Sequence, residues 1–174
     1  VAVVASRSGA KLGWIPRRAG ERGAIEAGAL GNLLPGGRPV SDPAARVDIA
    51  AAWGVHGLPE ERGLSSDEIY AKAANGEIDA LLVGGVDPFD GANSNLALDA
   101  LHRAFVVSLE MRPSAVTDRA NVVLPVAAVP EKSGTFLNWE GRGRSFDIAI
   151  EDSLQRSDVR ILSLIADQIG RPIN

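Results

Sequence analysis

The sequence predicts an α/β fold, a doubly wound and mainly parallel sheet. Three observations carry this reading. Short continuous apolar runs recur along the chain, helix-start and helix-stop signals fall between them, and 174 residues at 45% apolar suit one core. Strands alternating with helices close most readily as parallel strands joined by right-handed crossovers.

The elements follow in order. Val1 to Ala5 is an apolar run suited to a strand buried on both faces, and Lys11 to Pro16 is a second candidate strand. Only Ser6 to Ala10 separates them, too few residues for a parallel crossover. The pair is therefore expected to be either a hairpin or the junction of a missing segment. Arg17 to Pro39 is glycine-rich and reads as an irregular loop with at most one short helix near Ala24 to Leu30.

Asp42-Pro43 is an N-cap followed by proline at the first helical position. The helix it starts carries Val47, Ala50, Ala51 and Gly54 on one face and is expected to end near Trp53. Ser65 to Glu68 matches a capping box, and Asn75-Gly76 supplies a left-handed stop, so a second helix lies between them. Ala80 to Val83 is a buried strand, Ala97, Ala100, Leu101 and Ala104 form a helical stripe, and Phe105 to Leu109 is the next strand. A short helix fits Ser114 to Arg119, and Asn121 to Val126 is another strand. Leu162, Ile165, Ala166 and Ile169 form the face of a last helix ending at Gly170.

Several function classes lose their chemistry at this stage. The chain has no cysteine and two histidines, so it cannot by itself ligate an iron–sulfur cluster, build a zinc finger or present a thiol nucleophile. A net charge of -4 has the wrong sign for nucleic-acid binding. No run reaches the roughly 20 apolar residues of a membrane span and no signal peptide is visible, so the chain reads as soluble and unexported. It opens on Val rather than Met, which suggests a piece of a longer polypeptide.

In an open α/β sheet, ligands bind beyond the carboxyl ends of the strands. Gly84-Gly85-Val86-Asp87-Pro88 is expected there, at the end of a central strand. It reads either as a nucleotide-binding turn or as a tight strand-to-helix connection, for its spacing matches neither a dinucleotide fingerprint nor a P-loop. His56 and His102 have no companions at metal-ligand spacing and read as surface or structural residues, so no metal site is expected. No nucleophile elbow accompanies the serines, and no catalytic residue is expected. Arg17, Arg18 and Arg22, with Arg142 and Arg144, form either an anion clamp or a solvated or interfacial face. Asn121 to Arg144 reads as a strand leading into a polar hairpin or irregular excursion toward a neighbouring domain.

Val-Thr-Asp-Arg-Ala-Asn-Val-Val-Leu-Pro at 116–125, then Glu131-Lys132-Ser-Gly-Thr-Phe-x-Asn138-x-Glu140-Gly-Arg142, closely resembles a signature of the molybdopterin oxidoreductase superfamily, Thr-x-x-Ala-Asp-Val-Val-Leu-Pro … Glu-Lys-x-Gly-Thr-Phe-x-Asn-x-Glu-Gly-Arg. Within it, Trp14 to Ala24, Glu26-Ala-Gly and Asn32 to Pro39 are similar to the large iron–sulfur subunits (the G subunits) of bacterial respiratory complex I, the NADH–quinone oxidoreductase.

The resemblance implies a vestigial nucleotide-binding-like α/β domain at 1–126, an excursion at 127–147 and a C-terminal helix at 148–174 returning to the sheet. It implies a scaffold within the complex I peripheral arm, which carries electrons from NADH through iron–sulfur clusters to quinone. The clusters would sit in the rest of the subunit, the partners would be other peripheral-arm subunits, and the location would be peripheral, on the cytoplasmic side of the bacterial inner membrane, without direct membrane insertion.

Molybdenum-containing relatives tend to carry Gly-x-Asn-Pro where this chain has Gly85-Val86-Asp87-Pro88, and an acidic residue where it has Ser108-Leu109. Both departures imply that Gly84, Gly85, Asp87 and Pro88 form a vestigial turn holding no cofactor. The alternatives are a molybdopterin-guanine-dinucleotide enzyme, such as a formate dehydrogenase or nitrate reductase, and a free-standing nucleotide-binding domain.

Overall fold

The computed structural model describes residues 2–11, 20–138, 140–151 and 153–173. It is α/β, with a parallel three-stranded sheet at its centre. The first run is not a strand. Ala2–Ser8 is a helix, α1, in which Ala5 is buried while Val3 stays 65% exposed. A strand covered on both faces would have buried Val3, and five apolar residues cannot by themselves separate a short strand from a helix. Gly9, at φ 68°, follows the helix end in the left-handed conformation. Residues 12–16, the rest of the second candidate strand, lie outside the described residues. With α1 helical, the proposed hairpin between the two runs does not form.

The short helix in the glycine-rich stretch is α2, Glu21–Glu26, somewhat earlier than expected. Gly28, at φ 75°, stops it, and a side chain there would collide with the Leu34 carbonyl carbon. The stretch is also more regular than expected, because β1 (Leu33–Leu34) and β2 (Arg38–Pro39) pair antiparallel. The Asp42 cap and Gly54 stop delimit α3, Pro43–Trp53. Its buried side is Ala45 and Ala50, with Ile49 packed on Leu34 and Val40, whereas Val47 and Ala51 face outward. A helix apolar on several faces does not declare which one it buries. Both bonds of the Ser65–Glu68 capping box start α4, Ser66–Ala74, and Gly76 follows it at φ 76°.

β3 (Ala80–Gly84), α5 (Ser94–Arg103) and β4 (Phe105–Glu110) form the βαβ unit. β5 (Val122–Pro125) pairs parallel with β4, giving the order β3-β4-β5. In this sheet β4 is central and β3 flanks it, so the Gly84 turn does not end the central strand. β3 is covered on one face only, and Leu82 remains 54% exposed.

Val106 points toward Leu101, Val116 and Val83, while Val107 and Leu109 point toward Ile161, Leu162 and Ile165 of α6 (Asp158–Gln168). Helices therefore cover both faces of β4. The alanines at 73, 100 and 104 let α4 and α5 pack closely over Leu81. In α6, Ile161 enters the core and Ile169, at the C-cap, is 69% exposed, so the apolar stripe sits one turn earlier than read.

Ser114 to Arg119 makes turns rather than a helix. The Thr117 hydroxyl donates to the Ser114 carbonyl and accepts from the Ser114 amide, competing with helical bonding. β6 (Gly134–Leu137) and β7 (Gly143–Phe146) form the antiparallel hairpin.

Candidate functional site

The sheet's carboxyl edge is built around the turn after β3. Gly85 lies at φ 63°, and a Cβ there would meet open space, so the position needs glycine for its backbone rather than for close approach to a neighbour. Asp87 Oδ1 accepts from the Phe89 amide at 3.0 Å and caps a 3-10 turn, Pro88–Asp90, whose first residue is buried. Asn93 then caps α5 by accepting from the Leu96 amide at 3.1 Å. Gly84, Gly85, Asp87 and Pro88 thus lie on one turn at the carboxyl end of β3.

Two cavities flank the turn. One, about 590 Å³, lies against the start of α4 and is bordered by Glu21, Ser65, Asp67, Tyr70 and Asp90. The other, about 640 Å³, lies against the chain leaving β4 and is bordered by Asp90, Glu110, Met111 and Arg112. Their size suits a nucleotide-scale ligand. Their charge does not suit its diphosphate. Glu21, Asp67, Asp87, Asp90 and Glu110 supply carboxylates, and Arg112 is the single cation among the described lining residues.

The backbone donors at the turn and at the α4 start are also partly taken. Asp87 occupies the Phe89 amide, and the capping box occupies the amides of Ser65 and Glu68. The Glu68 carboxyl is held well below the usual carboxylate range, first by the Arg62 guanidinium, then by the Ser65 amide and hydroxyl. Burial, with the nearby Asp67 charge, pushes the Tyr70 phenol up.

Glu110 is the residue the sequence reading missed. β4 runs one residue beyond Leu109, whose own side chain is buried toward α6. Alternation along the strand puts Glu110 on the side of Val106, at the edge of the second cavity. The period-two pattern extended past the apolar run would have found it. Its carboxylate can accept from a guanine-type donor, so only the phosphate end of a dinucleotide is opposed here. The described residues do not fit that diphosphate.

The other candidates stay apart from this edge. His56 borders a separate groove beside α3, with Arg46 and Glu60. His102 accepts from Arg119 Nε at 3.2 Å. No group of metal-binding side chains occurs among the described residues. Arg22 is engaged by Glu26 at 2.7 Å and Arg142 by Glu140 at 3.1 Å; Arg144 is exposed on the hairpin, and Arg17 and Arg18 lie outside the described residues.

The superfamily signature has a structural account. Glu131 accepts from the Ala128 amide, and Lys132 pairs with Asp158 at the start of α6. Asn138 Oδ1 accepts from the amides of Glu140 and Arg142, both at 2.9 Å, which closes the hairpin loop.

Comparison with known proteins agrees with this architecture. The molybdopterin oxidoreductase family profile matches residues 4–168. The chain is 58% identical to the G subunit of NADH-quinone oxidoreductase from Streptomyces coelicolor, over 92% of its own length and 20% of that protein. It is 53% identical to the G subunit of NADH-quinone oxidoreductase from Mycobacterium bovis, over 96% of the chain and 21% of the relative. Identity to formate dehydrogenase H of Escherichia coli is 32%, over 88% of the chain and 22% of the relative. The chain thus spans about a fifth of the length of these relatives. The chain belongs to the molybdopterin oxidoreductase family.

Proposed function

We propose that this chain is a scaffold segment of the G subunit of an NADH–quinone oxidoreductase, in which the crevice at the ends of β3 and β4 is vestigial and holds no guanine dinucleotide. The observation that carries the reading is the pair of nucleotide-sized cavities flanking the turn, lined between them by five carboxylates and one guanidinium among the described residues. Identities of 53–58% to the G subunits, against 32% to formate dehydrogenase H, support it. The chain's own work is then to hold a rigid βαβ layer and hairpin for neighbouring parts of the assembly.

Electron-carrying iron–sulfur clusters belong to other parts of the subunit, since these residues offer no thiolate. The partners are other peripheral-arm subunits, and the acidic balance of the chain does not suit nucleic acid. No helix among the described residues is long and apolar enough to cross a membrane. We place the assembly peripherally, on the cytoplasmic side of the bacterial inner membrane.

The alternative, a molybdopterin-guanine-dinucleotide enzyme, draws support from Glu110, whose carboxylate stands where guanine donors could be read. Guanine nucleotide and molybdenum content of the purified native complex decides between them. Neither is expected at stoichiometric level. One guanine nucleotide per copy, or guanosine diphosphate binding abolished by Glu110→Gln, establishes the alternative.

A further inference from the structure

The hairpin has an outward face to which the proposed function assigns no particular occupant. Phe136 and Arg144 are direct cross-strand partners, and Gly134 pairs with Phe146, so Phe136, Arg144 and Phe146 share one face. The two rings stack with centroids 4.7 Å apart. Leu137, on the other face, packs against Gly23 of α2. Phe136 is nevertheless 57% exposed, and Arg144 has no ion-pair partner among the described residues. Arg142, two residues earlier, is already paired with Glu140.

This face is built to be rigid. The Phe146 ring lies over Gly134, where a Cβ would approach it to 2.8 Å, and Gly141 takes φ 79° at the loop that Asn138 closes. At the base, the Pro130 carbonyl accepts from the amides of Ala149 and Ile150, and Lys132 is tied to Asp158. Stacked aromatics beside an unpaired arginine, held in advance, are the chemistry of a contact centre.

Resting on the reading above that this chain is a segment of a longer G subunit, we propose that the Phe136–Phe146–Arg144 face docks a carboxylate-bearing apolar surface from the remainder of that subunit. Charge complementarity selects the carboxylate, which a guanidinium holds in bidentate fashion. Size selects the source. Two partly exposed rings and one arginine cover on the order of a few hundred Å², well short of the roughly 800 Å² per partner of a stable free association. A tethered segment, at an effective concentration near the millimolar range, needs no such area. Relatives five times as long have the chain to supply it. Docking at this face does not depend on whether the crevice takes a nucleotide.

Photo-crosslinking tests it in the full-length protein within its native complex, with benzoylphenylalanine replacing Phe136. The expected adduct joins position 136 to an Asp- or Glu-containing peptide of the same polypeptide beyond these residues. Adducts confined to these residues, adducts to another subunit or to an isotopically distinguished second copy, or no adduct at all, overturn the proposal. Arg144→Glu supplies a readout free of the bulky probe. It is expected to raise amide exchange in the docked segment about tenfold or more, with Arg144→Lys, which keeps the charge but not the bidentate fork, falling between it and the parent. Unchanged exchange in Arg144→Glu overturns the proposal as well.

Discussion

At the foot of β5, Asn121 extends the β4–β5 ladder by one step. Its amide donates to the Val106 carbonyl at 2.9 Å, and its side-chain Oδ1 accepts from the Val106 amide at 2.7 Å. Val106 is 0% exposed, while Asn121 itself lies at the exposed edge of the sheet, so truncating it exchanges a short fixed bond for hydration of the Val106 amide. Asn121→Ala therefore loses that bond at a cost of about 0.5–1.5 kcal/mol, or roughly 2- to 13-fold in the unfolding equilibrium. Asn121→Asp keeps the oxygen in place, as the family signature does, and is expected to stay within about 0.5 kcal/mol of the parent. Urea unfolding of the full-length protein, with exchange of the Val106 amide followed by mass spectrometry, measures both. An alanine variant within about 0.5 kcal/mol of the parent, or an aspartate variant as damaged as alanine, refutes the reasoning.

Three further outcomes are expected. Gly31→Ala brings a Cβ to 2.8 Å from the Gly63 carbonyl oxygen, where the two segments cross through the Gly63 amide bond to Gly31. It should destabilise by about 1–3 kcal/mol in urea unfolding, whereas Gly57→Ala, which meets nothing within 4 Å, should not. Asp87→Asn retains the cap on the Phe89 amide and should leave stability near the parent, while Asp87→Ala loses about 0.5–2 kcal/mol; calorimetry should find no guanosine diphosphate binding in the Asn variant, since Asp67 and Asp90 remain beside the turn. The Glu68 carboxyl is depressed in the folded protein, so its stabilising contribution is complete above the unfolded value of 4.5 and is lost as pH falls below it. Glu68→Gln should flatten that part of the acid limb in a series of urea midpoints between about pH 5 and 2.

The sequence by itself determined the elements whose signals are local. A cap bonds to an amide two or three residues away and a left-handed glycine stops its own helix, so Asp42, Ser65, Asn75-Gly76 and Gly170 marked their boundaries without knowledge of the fold. The alternation of β3, α5 and β4 was legible because a crossover helix carries its own apolar stripe. Gly84 to Pro88 was legible as a turn at the sheet edge for the same reason.

Tertiary structure decided what depends on partners distant in sequence. Val1 to Ala5 is apolar enough for a strand, but only its surroundings show that one side is covered. Val47 and Ile169 fit their stripes and still face outward, because what a helix buries is set by what packs against it. The acidity of the crevice was hidden because Glu21, Asp67, Asp87 and Glu110 come from four separate segments. Each carboxylate is unremarkable where it stands in the chain, and only the fold brings their charges to one edge.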